Sequence, residues 1–239
     1  MSGEVAAIIP AAGTGRRVGA AANKLFLPLH GEPLLAHTLR ALQESPAIRW
    51  IMVVVRSADR AAVRALLRRY GIAKALPLCV GGASRAESVA RGFAALPRGA
   101  RWVLIHDGAR PCVSPRLIEA SVRAATRHGA VACGLPASLT VKMVGVAGRV
   151  RATLDRDAVW LAQTPQVFRR DWFASALTQA NHGLGRFPDD AAMVEAAGFA
   201  VRMIPGDPLN VKVTAREDFV IADAIFEHRQ KALNRSMVQ

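Results

Sequence analysis

The chain of 239 residues contains little cysteine and only one tyrosine, and it has no long apolar run. Its three cysteines, Cys79, Cys112 and Cys133, form no C-x-x-C pair. This spacing argues against a disulfide framework or a zinc site and favours a reducing cytoplasm. Every apolar run is shorter than the roughly 20 residues that a membrane-spanning helix needs. The N-terminal MSGEV has no basic segment, so we expect neither a signal peptide nor a membrane partner.

Acidic residues are also scarce: 18 Asp and Glu stand against 32 Lys and Arg, a formal net charge of +14. Such a charge suits either a nucleic-acid surface or an enzyme that attracts small anions. The arginines at Arg60, Arg64 and Arg68 recur every four residues, which is typical of a solvated helix face. Basic–aromatic alternation, the usual mark of single-strand binders, is missing. We therefore expect a phosphorylated small molecule rather than nucleic acid, and keep a nucleic-acid-binding module as an alternative.

What the sequence does contain is a regular alternation of apolar strands and amphipathic helices. Buried strands are predicted at residues 5–10, 50–55, 75–80, 102–106, 129–135, 159–162 and 200–204. Helices are predicted at residues 31–45, 58–70, 83–96, 114–127, 171–179 and 215–231, with a further helix beginning at 188–190. Successive βα units indicate a single α/β domain over residues 1–239. We expect a Rossmann-like, mostly parallel sheet flanked by helices, with ligands at the carboxyl ends of the strands.

One segment, residues 138–157, departs from this alternation. Residues 140–144 and 149–154 alternate in polarity around a Gly-rich turn, which predicts a β-hairpin. An isolated hairpin is marginally stable, so we expect this arm to pack on a second subunit and to form a homodimer.

The first strand runs into a small-residue turn, PAAGTG, which contains Gly13 and Gly15 and is followed by Arg17 and Lys24. Small residues let backbone N–H groups approach an anion, while Arg and Lys supply charge for phosphate oxygens. The turn lacks the Gly-Lys-Ser/Thr of a P-loop. Its third glycine, Gly19, comes one residue late for a dinucleotide fingerprint, which disfavours an NAD(P) oxidoreductase as the alternative enzyme class.

Asp107 follows the strand at 102–106 directly, in the segment HDGARP. A carboxylate there could hold Mg²⁺ together with substrate phosphates, or it could simply cap the following turn. Arg110, three residues later, favours the functional interpretation. We interpret His106 as a packed residue at the strand end. Lys212 would by itself pass as a surface lysine.

Seven segments together resemble one family: PAAGTGRR with Lys24, GGASRAES, HDGARP, the pair Thr140 and Lys142, LDRDAVW, QTPQ and NVKVT. In this order and spacing they are similar to the 2-C-methyl-D-erythritol 4-phosphate cytidylyltransferases of the non-mevalonate isoprenoid pathway. The resemblance covers nearly the whole chain, although PAAG-x-G-x-R also marks the wider nucleotidyltransferase superfamily. It implies transfer of a cytidylyl group from CTP to the methylerythritol phosphate, with release of pyrophosphate.

The resemblance also implies a role for each matching residue. Stabilisation of the transition state falls to Arg17, Lys24 and Lys212. Binding of CTP falls to Ala11, Ala12, Gly13, Gly15, Gly82 and Ser88. Binding of the acceptor falls to Arg110, Thr140 and Arg156, the last two contributed by the arm of the other subunit. Asp107 would hold Mg²⁺ as the cofactor.

Five positions depart from the family pattern, and one of them is Ala83, which replaces an Asp beside the base pocket. Asn23 and Leu25 flank Lys24 where Pro and Gln are usual, so we expect a less rigid approach of Lys24. Pro188 replaces a Thr that contacts the acceptor in relatives, and Leu209 replaces an Asp just before the Asn-x-Lys turn. These two leave a related cytidylyltransferase acting on ribitol 5-phosphate, or on another polyol phosphate, as the alternative within the class.

Overall fold

The computed structural model of this chain describes residues 4–13 and 23–236. Its strands, in chain order, are β1 (Val5–Pro10), β2 (Pro28–Leu29), β3 (Glu32–Pro33), β4 (Trp50–Val55), β5 (Cys79–Val80), β6 (Trp102–Ile105), β7 (Ala130–Pro136), β8 (Val141–Val144), β9 (Val150–Leu154), β10 (Trp160–Arg169) and β11 (Arg202–Pro205). Its helices are α1 (Leu34–Glu44), α2 (Arg60–Arg69), α3 (Arg85–Ala94), α4 (Pro115–His128), α5 (Arg170–Ala180), α6 (Asp190–Ala196) and α7 (Glu217–Ser236).

Seven strands form the central sheet, in the order β11-β7-β10-β6-β1-β4-β5. The sheet is parallel except at β10, which runs antiparallel to both of its neighbours, β6 and β7. Strand β1 is buried on both faces, as expected for the centre of such a sheet. Its Ala7 and Ile9 pack towards α1, α4 and α7, whereas Ala6 and Ile8 pack towards α3, α5 and α6. The predicted α/β fold with a mostly parallel sheet is confirmed.

Strand β10 is the main correction to the predicted elements. We expected a short strand at 159–162 followed by a separate QTPQ segment, but one ten-residue strand covers both. Pro165 favours an interruption of the strand, because proline cannot donate a hydrogen bond to a sheet ladder. The proline instead lies where the pairing with β7 shifts, between Ala162 and Gln166. That irregularity leaves Gln163 and Thr164 available for contacts beyond the sheet.

Other predicted boundaries also differ. The helix expected from residue 31 begins at Leu34, because residues 28–33 form the small antiparallel pair β2–β3. The strand expected at 75–80 is reduced to β5, with one isolated bridge between Ile51 and Ala75. The predicted helix starts at 114–115 and 188–190 are confirmed. Ser114 accepts a hydrogen bond from the Leu117 N–H at 3.2 Å, and Asp189 accepts one from the Ala192 N–H at 2.8 Å.

The predicted hairpin is present as β8 paired antiparallel with β9. We call residues 138–157, which contain it, the arm. Much of its apolar surface is exposed: Val146 is 87% accessible, and Val144 and Val150 are each 53% accessible. Among the residues that the structure describes, no helix combines the length and apolar character needed to cross a membrane.

Candidate active site

A cleft of about 410 Å³ opens where β1 and β6 end and α3 begins. Residues from four segments, within 10–13, 23–25, 82–88 and 107–109, line it together with Lys212. Parallel strands β1 and β6 are neighbours, so the loops at their carboxyl ends meet at this edge of the sheet.

Asp107 is the acidic residue among those that line the cleft. Its carboxylate Oδ2 lies 2.7 Å from Lys212 Nζ and 4.0 Å from Arg110 Nε, while Oδ1 accepts a 3.1 Å hydrogen bond from Arg85 Nε. Burial by itself would raise the pKa of Asp107, but Arg85, Lys212 and Arg110 hold that pKa well below its usual range. The carboxylate is therefore ionised throughout the neutral range.

Arg85 joins Asp107 to a second carboxylate, that of Asp190. Arg85 Nη1 donates to Asp190 Oδ2 at 2.7 Å. Only 4% of the Asp190 side chain is exposed, and burial raises its pKa although Arg85 opposes the effect. Arg85 thus compensates the negative charge of two buried carboxylates and connects the start of α3 to the start of α6.

Thr164 and His106 fix the loop that carries Asp107. The Thr164 hydroxyl accepts from the Asp107 N–H at 3.1 Å and lies 2.9 Å from His106 Nδ1. His106 Nε2 lies 3.4 Å from the Arg110 carbonyl oxygen, which can only accept, so the proton resides on Nε2 and Nδ1 accepts from Thr164. Burial lowers the pKa of His106 to about 4. The predicted position of His106 as a packed strand-end residue is confirmed, since it is fully buried.

The loop that carries Lys212 is anchored from beneath by Asn210. Asn210 Nδ2 donates to the Thr164 carbonyl at 2.8 Å, and the Asn210 carbonyl accepts from Arg110 Nη1 at 2.7 Å. The Gln163 side chain bonds both the N–H and the carbonyl of Asp207 in the same loop. Strand β10 and Arg110 together therefore determine where Lys212 stands.

The glycine pair at residues 81–82 lies against the end of β1. A Cβ on Gly81 would lie 2.6 Å from the Ala12 Cβ, and one on Gly82 would lie 2.5 Å from the Glu87 Cβ. Ser88 holds this turn, because its hydroxyl accepts from the Gly82 N–H at 3.1 Å and donates to the Ser84 carbonyl at 2.8 Å. The cleft wall is mainly backbone here, which suits close contact with a flat ring.

Lys24 reaches across the cleft, and its Nζ donates to the Val213 carbonyl at 2.7 Å. The expectation of a less rigid approach of Lys24 stays a prediction, and the hydrogen bonds of Asn23 count against it. Asn23 is only 3% exposed and hydrogen-bonds Ala11, Leu25 and Asp59. Hydrogen bonds from the Asn23 side chain thus restrain this segment, where the proline usual in the family would restrict the backbone itself.

The structure brings together most of the site residues predicted from the sequence. Those that line the cleft are Ala12, Gly13, Lys24, Gly82, Ser88, Asp107 and Lys212. Ala11 is buried at the end of β1, and Arg110 lies behind Asp107. Thr140 and Arg156 are exposed on the arm and do not line this cleft. Gly15 and Arg17 lie outside the residues that the structure describes.

Four residues were not predicted to act at the site: Arg85, Asp190, Thr164 and Asn210. Arg85 lies within GGASRAES, a segment whose pattern fits a helix cap equally well. The other three lie more than 50 residues from Asp107, and only the sheet order brings them to it. In the sequence, the only sign of their role is that they lie in the segments QTPQ, PDD (residues 188–190) and NVKVT. Each of these segments stands beside a predicted strand or helix end.

The cleft offers one carboxylate to a metal ion. Among the described residues, no cluster of three or more His, Cys, Asp or Glu side chains could hold one. Lys212 and Arg85 each occupy one position on the Asp107 carboxylate, which can accept at about four. This donor set fits Mg²⁺ bound mainly by phosphate and water oxygens, since Mg²⁺ often takes only one or two protein carboxylates.

Comparison with known proteins identifies a consistent set of relatives. A family model described as "IspD: 2-C-methyl-D-erythritol 4-phosphate cytidylyltransferase" matches residues 5–228. The 2-C-methyl-D-erythritol 4-phosphate cytidylyltransferase of Synechococcus elongatus is 41% identical over 93% of this chain and 96% of its own length. The one from Pelotomaculum thermopropionicum is 40% identical over 96% and 97% of the two chains.

Solved structures agree. The crystal structure of 2-C-methyl-D-erythritol 4-phosphate cytidylyltransferase from Thermus thermophilus superposes with a TM-score of 0.74 and 33% identity, covering 93% of this chain and 98% of that one. The 4-diphosphocytidyl-2C-methyl-D-erythritol synthase from Anaerococcus prevotii reaches a TM-score of 0.84 with 27% identity, covering 95% and 97%.

Proposed function

The chain belongs to the 2-C-methyl-D-erythritol 4-phosphate cytidylyltransferase family, and on that basis we propose that the cleft around Asp107 is where its two substrates meet. The enzyme transfers a cytidylyl group from CTP to 2-C-methyl-D-erythritol 4-phosphate. The products are 4-diphosphocytidyl-2-C-methyl-D-erythritol and pyrophosphate, and the reaction belongs to the non-mevalonate route to isoprenoid precursors. Each part of this reaction falls to particular residues in and around the cleft.

The observation that carries the assignment is the pairing of Lys24 and Lys212 across one cleft. Lys24 Nζ bonds the carbonyl of Val213, the residue after Lys212, while Lys212 Nζ contacts Asp107. A phosphate oxygen of the acceptor attacks the α-phosphorus of CTP in line, the bond from that phosphorus to the β-phosphate oxygen breaks, and pyrophosphate leaves. No protein nucleophile is needed, so catalysis depends on positioning and fixed positive charge. The two lysines supply that charge to the reacting phosphate.

The base and sugar of CTP occupy the wall formed by Ala12, Gly82 and Ser88. The close approach of Gly81 to Ala12 leaves mainly backbone groups to contact the base. Gly13, within the small-residue turn PAAGTG, lines the same cleft and can turn its N–H towards the triphosphate. The roles of Gly15 and Arg17 at the triphosphate remain predictions.

Asp107 would hold Mg²⁺ once the triphosphate is present. The ion would neutralise phosphate charge and withdraw electron density from the α-phosphorus. In the structure the Asp107 carboxylate orients Lys212 and Arg85, so this one side chain would serve both the cation cluster and the metal.

The acceptor would be bound by residues on the arm of a second subunit. Thr140 and Arg156 are exposed, and the apolar side chains on the same arm, such as Val146, offer surface to a partner. Arg110 supports this half of the site from behind Asp107. We therefore propose a homodimer in which each arm completes the other subunit's cleft, working in the cytoplasm on CTP and a polyol phosphate.

An acceptor panel tests the assignment. The enzyme is incubated with CTP and Mg²⁺ and with either 2-C-methyl-D-erythritol 4-phosphate or ribitol 5-phosphate, and pyrophosphate release is measured. We expect release with methylerythritol phosphate at a kcat/KM well above that for ribitol 5-phosphate. The reverse preference would assign the acceptor half of the cleft to the other polyol phosphate, the alternative that the departures at Pro188 and Leu209 leave open.

A further inference from the structure

Asn23 is a buried amide whose oxygen and nitrogen both form hydrogen bonds that hold the segment carrying Lys24. Its Oδ1 accepts from the Leu25 N–H at 3.2 Å and so caps the short 3-10 turn Lys24–Phe26. Its Nδ2 donates to the Ala11 carbonyl at 3.3 Å and to Asp59 Oδ2 at 3.0 Å. One side chain therefore connects the lysine's turn to two other segments of the molecule.

Those two segments are themselves fixed. Ala11 follows β1, and its N–H donates to the carbonyl of Val54 in β4 at 2.7 Å. Asp59 lies just beyond β4 and is held by Arg56, whose Nε and Nη2 donate to the two carboxylate oxygens at 2.7 and 2.9 Å. Asp59 is only 9% exposed, so its carboxylate has little solvent to turn to. Asn23 is thus anchored to the carboxyl ends of two adjacent parallel strands.

We infer that Asn23, fixed by Ala11 and by the Asp59–Arg56 ion pair, is a positioning residue that sets where the Lys24 ammonium stands in the cleft. The inference rests on the role proposed for Lys24. Asn23 and Lys24 are adjacent, so a rotation of the Asn23 backbone displaces the start of the lysine side chain directly. A displacement of about 1 Å in a group that stabilises a transition state can cost on the order of 100-fold in rate.

A double-mutant cycle between Asn23 and Lys24 tests this. Wild type, Asn23→Ala, Lys24→Ala and the double variant are compared by steady-state kcat and KM, with labelled CTP and long incubations for slow variants. We expect Asn23→Ala to lower kcat by roughly 10- to 100-fold. On the Lys24→Ala background the same change should lower it less than about twofold, because the group that Asn23 positions is then absent. A loss that is equally large in both backgrounds would overturn the inference.

Two further variants separate positioning from general stability. Asn23→Ser retains an oxygen acceptor for the Leu25 N–H but loses the donors to Ala11 and Asp59, so it should be slowed nearly as much as Asn23→Ala. A wild-type rate for Asn23→Ser would overturn the anchoring to Asp59. Ser121→Ala is the matched control, because Ser121 is fully buried and its hydroxyl bonds only the Leu117 carbonyl within α4. It should lower the thermal midpoint while leaving kcat unchanged.

The result for Lys24→Ala by itself separates this inference from the proposal beneath it. A wild-type rate for Lys24→Ala would overturn the role of Lys24, and with it the reason for positioning that lysine. A large loss in Lys24→Ala, combined with a wild-type rate in Asn23→Ala, would overturn only the role of Asn23.

Discussion

Lys212 is the residue whose removal should separate catalysis from folding most clearly. Its side chain is 39% exposed and forms the 2.7 Å ion pair with Asp107, so little packing depends on it. We expect Lys212→Ala to lower kcat by roughly 100- to 1000-fold, the usual cost of losing one donor to a developing charge. Pyrophosphate release at saturating substrates measures this, and the exposed Lys231→Ala in α7 serves as the control. A loss that appears only in the KM for CTP would assign Lys212 to ground-state binding instead.

Arg85 should matter to stability as well as to activity, because it compensates Asp190. Removing one partner of a buried ion pair leaves an uncompensated charge, so Arg85→Met should destabilise the fold by roughly 3 kcal/mol. Adding Asp190→Asn to Arg85→Met should recover a good part of the lost stability, since the amide carries no charge. Urea unfolding of the single and double variants measures both changes. A double variant less stable than Arg85→Met would contradict the ion-pair explanation.

At the level of elements, β10 does more than complete the sheet. The Thr164 hydroxyl on this strand satisfies both the Asp107 N–H and His106 Nδ1. Thr164→Val keeps the shape but leaves both groups buried without a partner, at a cost of roughly 2 kcal/mol. Turnover should fall with it, because the Asp107 loop loses its support. Thr164→Ser retains the hydroxyl and should stay close to wild type in denaturant unfolding and in rate, and equal losses in the two variants would point to the methyl group.

The arm is the element whose exposed apolar surface favours a partner. Val146 is 87% exposed near the arm's tip, and Val220 on α7 is a comparable apolar residue, 73% exposed, away from the arm. We expect Val146→Glu to dissociate the proposed dimer, because a charge would then have to be buried in the interface. Val220→Glu should leave the dimer intact. Sedimentation equilibrium over a concentration series distinguishes the two, and a wild-type chain that is monomeric at every concentration would rule out the dimer.

The arm also gives a kinetic expectation for Arg156. If its guanidinium holds the acceptor phosphate, Arg156→Ala should raise the KM for methylerythritol phosphate and leave the KM for CTP unchanged. An unchanged acceptor KM would remove the arm from the substrate site.

For the molecule as a whole, His106 makes stability depend on pH. Its pKa in the folded chain is about 4, against 6.5 for an ordinary histidine, so the unfolded chain binds the extra proton first as the pH falls. Stability from this group is complete above about pH 6.5 and should decline by roughly 3 kcal/mol as the pH falls to about 4. Urea unfolding between pH 7 and pH 4.5 should therefore show a smaller pH slope for His106→Gln than for wild type, with the exposed His128→Gln as control. An unchanged slope would mean that another group dominates the pH dependence of stability in this range.

Asp107 and Asp190 act on stability in opposite directions at lower pH. The pKa of Asp107 is lowered, so its contribution is present above the ordinary carboxyl range and is lost as the pH falls below it. The pKa of Asp190 is raised, so its protonation favours the folded state as the pH falls. The steepest loss of folding stability above about pH 4 is therefore expected from His106 rather than from these two carboxylates.

The sequence predicted the fold class and most elements because apolar period and capping residues are local signals. Burial on both faces of β1 and the Ser114 cap are read directly from neighbouring residues. The cleft residues Lys24, Asp107 and Lys212 were predicted through their segments and the family resemblance. The direction of β10 was not, because a proline within a polar stretch gives the same local pattern in a loop and in an irregular strand.

What the sequence by itself determined about this protein is its class, the segments predicted to face phosphate and the reaction of its family. Only the tertiary structure decided how those segments are held. The antiparallel insertion of β10 between β6 and β7 places Thr164 under the Asp107 loop. Arg85 joins Asp107 to Asp190, and Asn23 joins Lys24 to the ends of two strands. The physical reason is that these contacts link residues distant in the chain, and sheet order and burial, rather than local propensity, bring their hydrogen-bonding groups within reach.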